Sequence, residues 1–351
     1  MANPEHTSTA PAHRRPTLRN VAAEAGVSTA TVSYVFSGRR ASGAGIAEDT
    51  VRRVMEAADR LNYRPNTAAR AIRTGRTGTV HLSLHMLSDP WSLAVADAVN
   101  TEANRHGLTT LILADGDWNA ALDRIECDVA YLDGARGGEE TRDKLRALAD
   151  RGQHLVVFSE TLEPDGFDVI RSDAIPGCDM AMAHLLEDHT VIGCLAAEGA
   201  VAGAAHGTTR YTPYLRGLEE HGIPLDPSLT ATYRESSASA FAAALDLLSR
   251  PVRPTAIYAT TDFAAIAAIN AAHRLGLRVP HDVAVIGVGN TPDAHLIAPT
   301  LTTVGPTDFY RRQAEIIVRR ALGEDTEPPR VHEFAWSLFP GGSTDLSAPQ
   351  R

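Results

Sequence analysis

The residues with the most pointed chemistry lie close to the start of the chain. They sit in Val21-Ala22-Ala23-Glu24-Ala25-Gly26-Val27-Ser28-Thr29-Ala30-Thr31-Val32-Ser33, a helix–turn–helix pattern in physical terms. Small Ala22 lets two helices approach, Gly26 supplies the turn, Val27 fills the angle between them and Val32 anchors the second. Left outward near the N-terminus of that second helix are Thr29, Ala30, Ser33 and Tyr34, where a recognition helix addresses base edges. Their hydroxyls bond phosphates or bases, and an alanine methyl meets a thymine methyl. A trihelical domain that only packs is the other reading.

Further along, Asp89 and Trp91 follow an apolar strand-sized run, and Asp262 follows another. A polar group beside a ring holds one end of a small ligand; the same carboxylates also serve as solvated loop groups or helix N-caps. His184 and Asp188 are four apart on a helical stretch, beside Glu187 and His189. That spacing suits a metal, but equally a solvated polar face, and no metal site is assigned. No Walker A sequence, HExxH or G-x-S-x-G is present, and Gly287-Val288-Gly289-Asn290 lacks the last glycine of a dinucleotide fingerprint. Nothing points to catalysis or to a cofactor.

The elements that must position these groups fall into two styles. Thr17 caps a helix over Leu18–Ala25, whose apolar residues follow i, i+3, i+4, i+7, and Gly26 ends it. Ser28 caps a second helix, Thr29–Phe36. After a loop at Arg39–Gly45, a third runs from Glu48 to Leu61, with Val51, Val54, Met55, Ala58 and Leu61 as its apolar stripe. Asn66 caps a short helix Thr67–Arg73 beyond Pro65, and Thr74-Gly75-Arg76-Thr77-Gly78 reads as a joint. From there strand-sized runs at Val80–Leu84, Thr109–Leu113, Val129–Leu132, Leu155–Phe158, Val191–Ala196, Ala256–Ala259 and Val283–Val288 alternate with helical stretches. Such alternation implies parallel sheets with helices on both faces, and the length suits two similar lobes. The expected division is a basic tail at 1–16, a helix-turn-helix DNA-binding domain at 17–65, a short helix and linker at 66–79, an α/β body at 80–340, to which the resemblance described below assigns effector binding and dimerisation, and a flexible C-terminal tail at 341–351. Ligands of such sheets sit beyond the carboxyl ends of the strands.

Charge separates the two styles. The chain has 351 residues and a net charge of −10, yet residues 1–79 carry twelve arginines against six acids and the remainder is net −16. A basic head on an acidic body is the asymmetry expected when only the head meets a polyanion. Hydrophobic content of 44% and charged content of 22% exclude disordered and fibrous classes. No apolar run approaches the roughly 18 residues of a spanning helix. The first 16 residues lack a signal-peptide core, and Cys127, Cys178 and Cys194 are odd in number and far apart, which suits a reducing cytoplasm.

The head closely resembles the LacI/GalR family of bacterial transcription regulators. The likeness runs through Thr17-Leu18-Arg19-Asn20-Val21-Ala22, Ala25-Gly26-Val27-Ser28, Thr31-Val32-Ser33, Leu61-Asn62-Tyr63-Arg64-Pro65-Asn66 and Ala69-Arg70-Ala71-Ile72-Arg73. In the body it runs through Pro254–Ala259, Leu275–Pro280, Asp282–Gly287 and Pro299–Val304. The resemblance implies an all-α helix-turn-helix head plus a two-lobed α/β, periplasmic-binding-protein-like body with parallel sheets. It implies a homodimeric repressor on double-stranded operator DNA, gated by a carbohydrate-like effector between the lobes. A solute-binding protein of the same architecture, or a regulator without effector, are the alternatives.

The resemblance places DNA contacts at Thr17, Leu18, Ser28, Thr29, Ala30, Thr31, Ser33, Tyr34, Tyr63, Asn66, Ala69, Arg70, Ile72 and Arg73. Ile72 would be the apolar wedge in a central minor-groove step, on a helix that orders only when two subunits meet on DNA. Tyr34 stands where the family usually has Arg, the loop before Ile46 is longer than usual, and Ala47 replaces a capping Ser. In the cleft Glu160 falls where the family often has a carboxylate for sugar hydroxyls. Tyr214 and Gly289 replace a common Arg and Asp, beside Asn290, while Arg210 and Arg234 offer charge from new directions. With Asp89, Trp91 and Asp262 these make the expected effector set, favouring an acidic or decorated sugar.

Overall fold

The computed structural model describes residues 16–37, 46–64, 71–72, 74–85, 89–114, 116–133, 135, 138–205, 208–234 and 236–347. The chain divides into two compact units, 1–77 and 78–351. The expected N-terminal tail, the Arg39–Gly45 loop and most of the hinge helix lie outside the described residues, as do Asn66, Ala69, Arg70 and Arg73.

The first unit contains α1 (Leu18–Ala25), α2 (Thr29–Ser37) and α3 (Glu48–Arg60). The side-chain oxygen of Asn20 accepts from both the Thr17 amide (2.9 Å) and hydroxyl (2.6 Å), fixing the entry to α1. Gly26 leaves α1 at φ +67°, a left-handed conformation open to glycine, and Val27 N–H returns to the Ala22 carbonyl at 3.0 Å. Ser28 Oγ then accepts from Thr31 N–H at 3.0 Å and starts α2. Val21, Ala22, Ala25, Val32, Val54, Ala57, Ala58 and Tyr63 form the core. The apolar stripe expected on α3 is corrected here: Val51 and Met55 are exposed, and Ala57 takes their place. Two helices of this size need only a narrow face of α3, so its small residues sit inward.

In the second unit, β1 (Thr79–Leu84), α4 (Pro90–Arg105), β2 (Thr109–Ala114), α5 (Trp118–Leu122), β3 (Val129–Leu132), α6 (Glu139–Asp150), β4 (Leu155–Phe158) and β5 (Asp168–Arg171) build a first lobe. A second follows from α7 (Ile175–Leu186), β6 (Ile192–Ala197), α8 (Glu198–Gly203), α9 (Thr212–Glu220), β7 (Thr230–Tyr233), α10 (Ser237–Ser249), β8 (Ala256–Ala259), α11 (Asp262–Arg274), β9 (Ala284–Val288) and β10 (Thr302–Pro306). The chain then returns for α12 (Phe309–Ala321) and β11 (Val331–Glu333), and crosses once more to β12 (Trp336–Phe339).

The sheet orders are β11-β5-β4-β3-β1-β2 and β12-β10-β9-β8-β6-β7, parallel throughout except for β12 against β10. Each sheet carries apolar core on both faces, as parallel strands require. Both orders reverse direction next to the lobe's first strand, at β3-β1-β2 and β8-β6-β7. At such a switch point the connections leave to opposite faces and open a crevice.

Two buried ionic and polar knots tie the late segments down. Asp168 on β5 meets Arg320 of α12 at 2.8 Å and His332 of β11 at 3.0 Å. Those bonds hold its carboxyl below the usual range despite burial. Ser343, fully buried, donates to the Val285 carbonyl at 2.5 Å and accepts from Thr302 N–H at 2.8 Å. This corrects the expected flexible tail from 341 onward: Gly341 to Thr344 are built into the second lobe, because their polar groups complete its β9–β10 region.

Candidate functional site

On α2, Thr29 and Ala30 are exposed, Tyr34 is 43% exposed and Ser33 half-buried, while Val32 points wholly into the core. The outward set expected from sequence is therefore presented together on one helix face. Thr17 is exposed as well. Other expected contacts carry structural duties: Thr31 and Ser28 hydroxyls bond each other at 2.9 Å, Leu18 packs on the core, and Tyr63 is buried against Phe36 with ring centres 5.6 Å apart. Ile72 is a large aliphatic side chain left 89% exposed.

In the second unit a cavity of about 250 Å³ lies between the lobes. Its lining comes from strand ends. His85, Asp89, Trp91 and Ser92 follow β1, Asp133 follows β3, and Phe158 ends β4. From the other lobe come Ala197 at the end of β6, Arg210, Tyr233 at the end of β7, Thr261, Asp262 and Phe263 after β8, Val288 at the end of β9, and Gly289 and Thr291 after it.

Asp89 caps α4, its Oδ1 accepting from Trp91 N–H at 3.2 Å. Burial pushes its carboxyl up to about 6, with the Asp262 charge adding and the Trp91 N–H and Arg210 pulling the other way. Asp133 Oδ1 accepts from His85 N–H at 2.6 Å, and burial, helped by the Asp89 charge, pushes this carboxyl up to about 7. Two carboxylates thus share one wall. Trp91 stands beside them, packed in a cluster of tilted and edge-on rings with Phe158 (5.8 Å), Phe309 (4.5 Å) and Tyr310 (5.3 Å).

Asp262 behaves differently. It is buried to 1% exposure, and its Oδ2 accepts from Thr291 N–H (2.7 Å) and hydroxyl (3.0 Å) while Oδ1 accepts from the Thr303 hydroxyl (2.5 Å). All its strong acceptor positions go to its own lobe, so it ties the start of α11 to the segments after β9 and at β10. Gly289, at φ +144°, passes Asp262 so closely that an added Cβ would sit 3.3 Å from Oδ2. Arg210 is the arginine that lines the cleft among the described residues: Nη1 donates to the Thr260 carbonyl at 3.2 Å and its guanidinium lies over the Trp336 ring.

Four members of the expected effector set do not line the cavity. Tyr214 is fully buried in the second-lobe core, donating to the Ile192 carbonyl at 2.9 Å and stacked parallel on Tyr258. It fills space there because its ring points inward from α9. Arg234 is 82% exposed and pairs with Glu198 at 3.4 Å, so of the two substitute arginines only Arg210 reaches the cleft. Glu160 is exposed and turned toward the Ala174 amide. Asn290, at φ +50°, spends its amide on His295 (2.9 Å) and the Pro306 carbonyl (3.5 Å). Sequence reasoning missed His85, Ser92, Asp133, Phe158, Tyr233, Thr261, Phe263 and Thr291. The signal was available: each ends or closely follows a parallel strand. His184, singled out beside Asp188, bonds the Thr344 hydroxyl at 2.8 Å, and no cluster of three metal-ligating side chains exists among the described residues.

Residues 17–66 match the model of bacterial regulatory proteins of the lacI family, and residues 182–344 that of a periplasmic binding protein-like domain. The HTH-type transcriptional repressor PurR of Yersinia pestis bv. Antiqua (strain Antiqua) is 32% identical over 333 residues, 90% of this chain and 94% of that protein. The transcriptional regulator CelR in its cellobiose complex superposes with a TM-score of 0.60 at 26% identity, over 94% of this chain and 100% of that one. The lac repressor dimer bound to operator and the anti-inducer ONPF gives 0.70 at 21% identity, over 94% and 99%, a likeness of fold.

Proposed function

The chain belongs to the LacI family of bacterial transcriptional regulators, and from that premise we propose that it is a dimeric, operator-binding repressor whose grip on DNA is set by a small molecule in the interlobe cleft. Thr29, Ala30, Ser33 and Tyr34 choose the sequence, Arg64 and Arg76 with Arg70 and Arg73 neutralise phosphates, and Ile72 is the minor-groove wedge. Asp89, Trp91 and Arg210 bind the effector, with His85, Asp133 and Phe158 joining them. Asp262 and Gly289 shape the floor. The protein works in the cytoplasm, without a cofactor and without a catalytic step. No helix among the described residues is long and apolar enough to cross a membrane.

The observation that carries this reading is a helix-turn-helix unit with an exposed, hydroxyl-rich face in the same chain as a charged, ring-walled cleft at a double switch point. A solute-binding protein of this architecture has no use for the first of these. The test is a gel shift with full-length protein and with residues 80–351 alone at several salt concentrations. Full-length protein should bind with a log–log salt slope near −0.9 per phosphate contact, and the body should not bind. Equal binding by both would refute the assignment of DNA reading to the head.

A further inference from the structure

The cleft is charged in a way that a neutral sugar does not match. On the first-lobe wall Asp89 and Asp133 each accept one backbone N–H. Asp133 also meets the Ser92 hydroxyl. Neither carboxylate has a Lys, Arg or His side chain within ion-pair distance among the described residues, and the second oxygen of Asp89 has no protein donor among them. On the second-lobe wall Arg210 spends one N–H on the Thr260 carbonyl and rests on Trp336, with no carboxylate at ion-pair distance among the described residues. Asp262, which would be its natural partner, is consumed by Thr291 and Thr303. Among the described residues, Asp89 and Asp133 therefore face the cavity from one lobe, with His85 beside them, and Arg210 from the other, while Trp91 and Phe158 also line the first-lobe wall.

Partly buried charges left unpaired are costly, and a ligand that supplies the opposite charges recovers that cost. A hydroxyl donates one hydrogen and leaves two like charges facing each other. An ammonium donates three hydrogens, enough to reach both carboxyl groups, and its single positive charge offsets one of the two negative ones. A carboxylate or phosphate is likewise the group that a guanidinium holds through paired N–H donors.

We propose that the effector is a bipolar molecule of about monosaccharide size, with a primary ammonium between Asp89 and Asp133 and an anionic group, carboxylate or phosphate, on Arg210. This inference rests on the effector reading of the same cleft. Because the two ends dock on different lobes, only a molecule carrying both joins them, and a compound with either end alone leaves one wall unsatisfied.

The experiment is calorimetric titration of full-length protein with glucosamine 6-phosphate, glucose 6-phosphate, glucosamine and glucose, with glucosaminate as the carboxylate arm. Glucosamine 6-phosphate or glucosaminate should bind at least tenfold tighter than any compound lacking one end, and whichever is tighter identifies the anion. Asp133→Asn should erase the preference for the amine while retaining the preference for the anion, and Arg210→Gln should do the converse. Thermal transitions of the free variants verify that they fold. Glucose binding as tightly as glucosamine 6-phosphate, and releasing the protein from operator, overturns the bipolar effector and leaves the gated repressor standing. Response to none of the five compounds overturns it too, and a DNA complex also indifferent to cellobiose and ribose would count against the gate itself.

Discussion

The guanidinium of Arg210 lies 5.9 Å from the centre of the Trp336 ring, and the indole N–H of Trp336 donates to Ser172 Oγ at 2.8 Å. Ser172 stands on the first passage between the lobes, directly after β5, and Trp336 follows the last passage as the first residue of β12. Thr307, on the middle passage, donates its N–H to the Ala335 carbonyl at 3.2 Å. One ring thus supports the cleft cation while gripping the strands on which the lobes turn.

Replacing that ring should be felt as stability. Trp336→Leu loses packing and the Ser172 bond, an expected cost of about 3 kcal/mol, within the range for shrinking large core residues. Gly177→Ala should cost about 1–3 kcal/mol, because a methyl there collides with the same indole. Denaturant midpoints at unchanged slope measure both, and a wild-type midpoint for Gly177→Ala would show that the indole moves freely aside.

Asp262 supplies a second test, since its acceptors serve Thr291 and Thr303. Asp262→Asn puts an N–H₂ donor against donors and should destabilise by about 1–3 kcal/mol. If stability is unchanged while effector affinity falls, Asp262 is a ligand contact and not a brace.

Asp133 makes the free protein sensitive to pH in a definite direction. Its carboxyl is pushed from 3.8 up to about 7 in the fold, so the folded state holds a proton that the unfolded chain has already lost. Stability from this group is therefore full below about pH 4 and declines as pH rises toward 7. Asp133→Asn should remove the decline and gain of order 2 kcal/mol at pH 8 relative to pH 5, after discounting for solvent access. His81 works the other way: buried to 1% exposure, its ring is pushed below 6.5 by burial, and protonation weakens the fold as pH drops below that value. Chemical denaturation of wild type and both single variants (Asp133→Asn, His81→Gln) across pH 5–8 separates the two slopes.

Tyr34 should set one base pair of the operator. It has no bidentate donor pair for guanine, and Tyr34→Arg restores one. Operators selected from random DNA by the two proteins should differ at that base pair in each half-site, and identical selections would remove Tyr34 from base reading.

Ile72 should matter to bending and not to folding. Its 89% exposure means that Ile72→Ala leaves the free protein's melting temperature unchanged. Operator affinity should fall at least tenfold and the induced bend should shrink, as a lost wedge requires. Unchanged bend angle by gel phasing excludes the wedge.

Local rules carried far in this chain. Thr17, Gly26, Ser28 and the 3.6-residue spacing of small apolar residues mark the head helices in the sequence, because caps and turns act over a few residues. Strands β4 and β8 are legible as well: Leu155–Phe158 and Ala256–Ala259 are uninterrupted apolar runs, as buried parallel strands must be. β5, β7 and β10 were harder to read. Asp168-Val-Ile-Arg171, Thr230-Ala-Thr-Tyr233 and Thr302-Thr-Val-Gly-Pro306 mix polar residues into buried strands, and those polar groups are satisfied only by distant partners such as Arg320, Thr260 and Ser343.

The sequence by itself determined that a basic helical head precedes an acidic α/β body, and that ligand groups must cluster after the strands. Asp89, Trp91 and Asp262 are legible from it, each standing shortly after a run whose end is visible, while Arg210 is legible only through its place four residues before Tyr214. Which of them face an open cavity was decided by tertiary structure alone. Tyr214 and Arg210 are four residues apart, yet one points into the core and the other into the cleft. Asp133 and Asp262 are the same residue type after equivalent strands, yet Asp133 accepts from the His85 N–H beside the cavity while Asp262 is held on both oxygens by its own lobe. The difference lies in Thr291 and Thr303, 29 and 41 residues beyond Asp262, which quench it through hydrogen bonds. Orientation and satisfaction depend on partners that sequence separation hides, and only the packed lobes bring them within 3 Å.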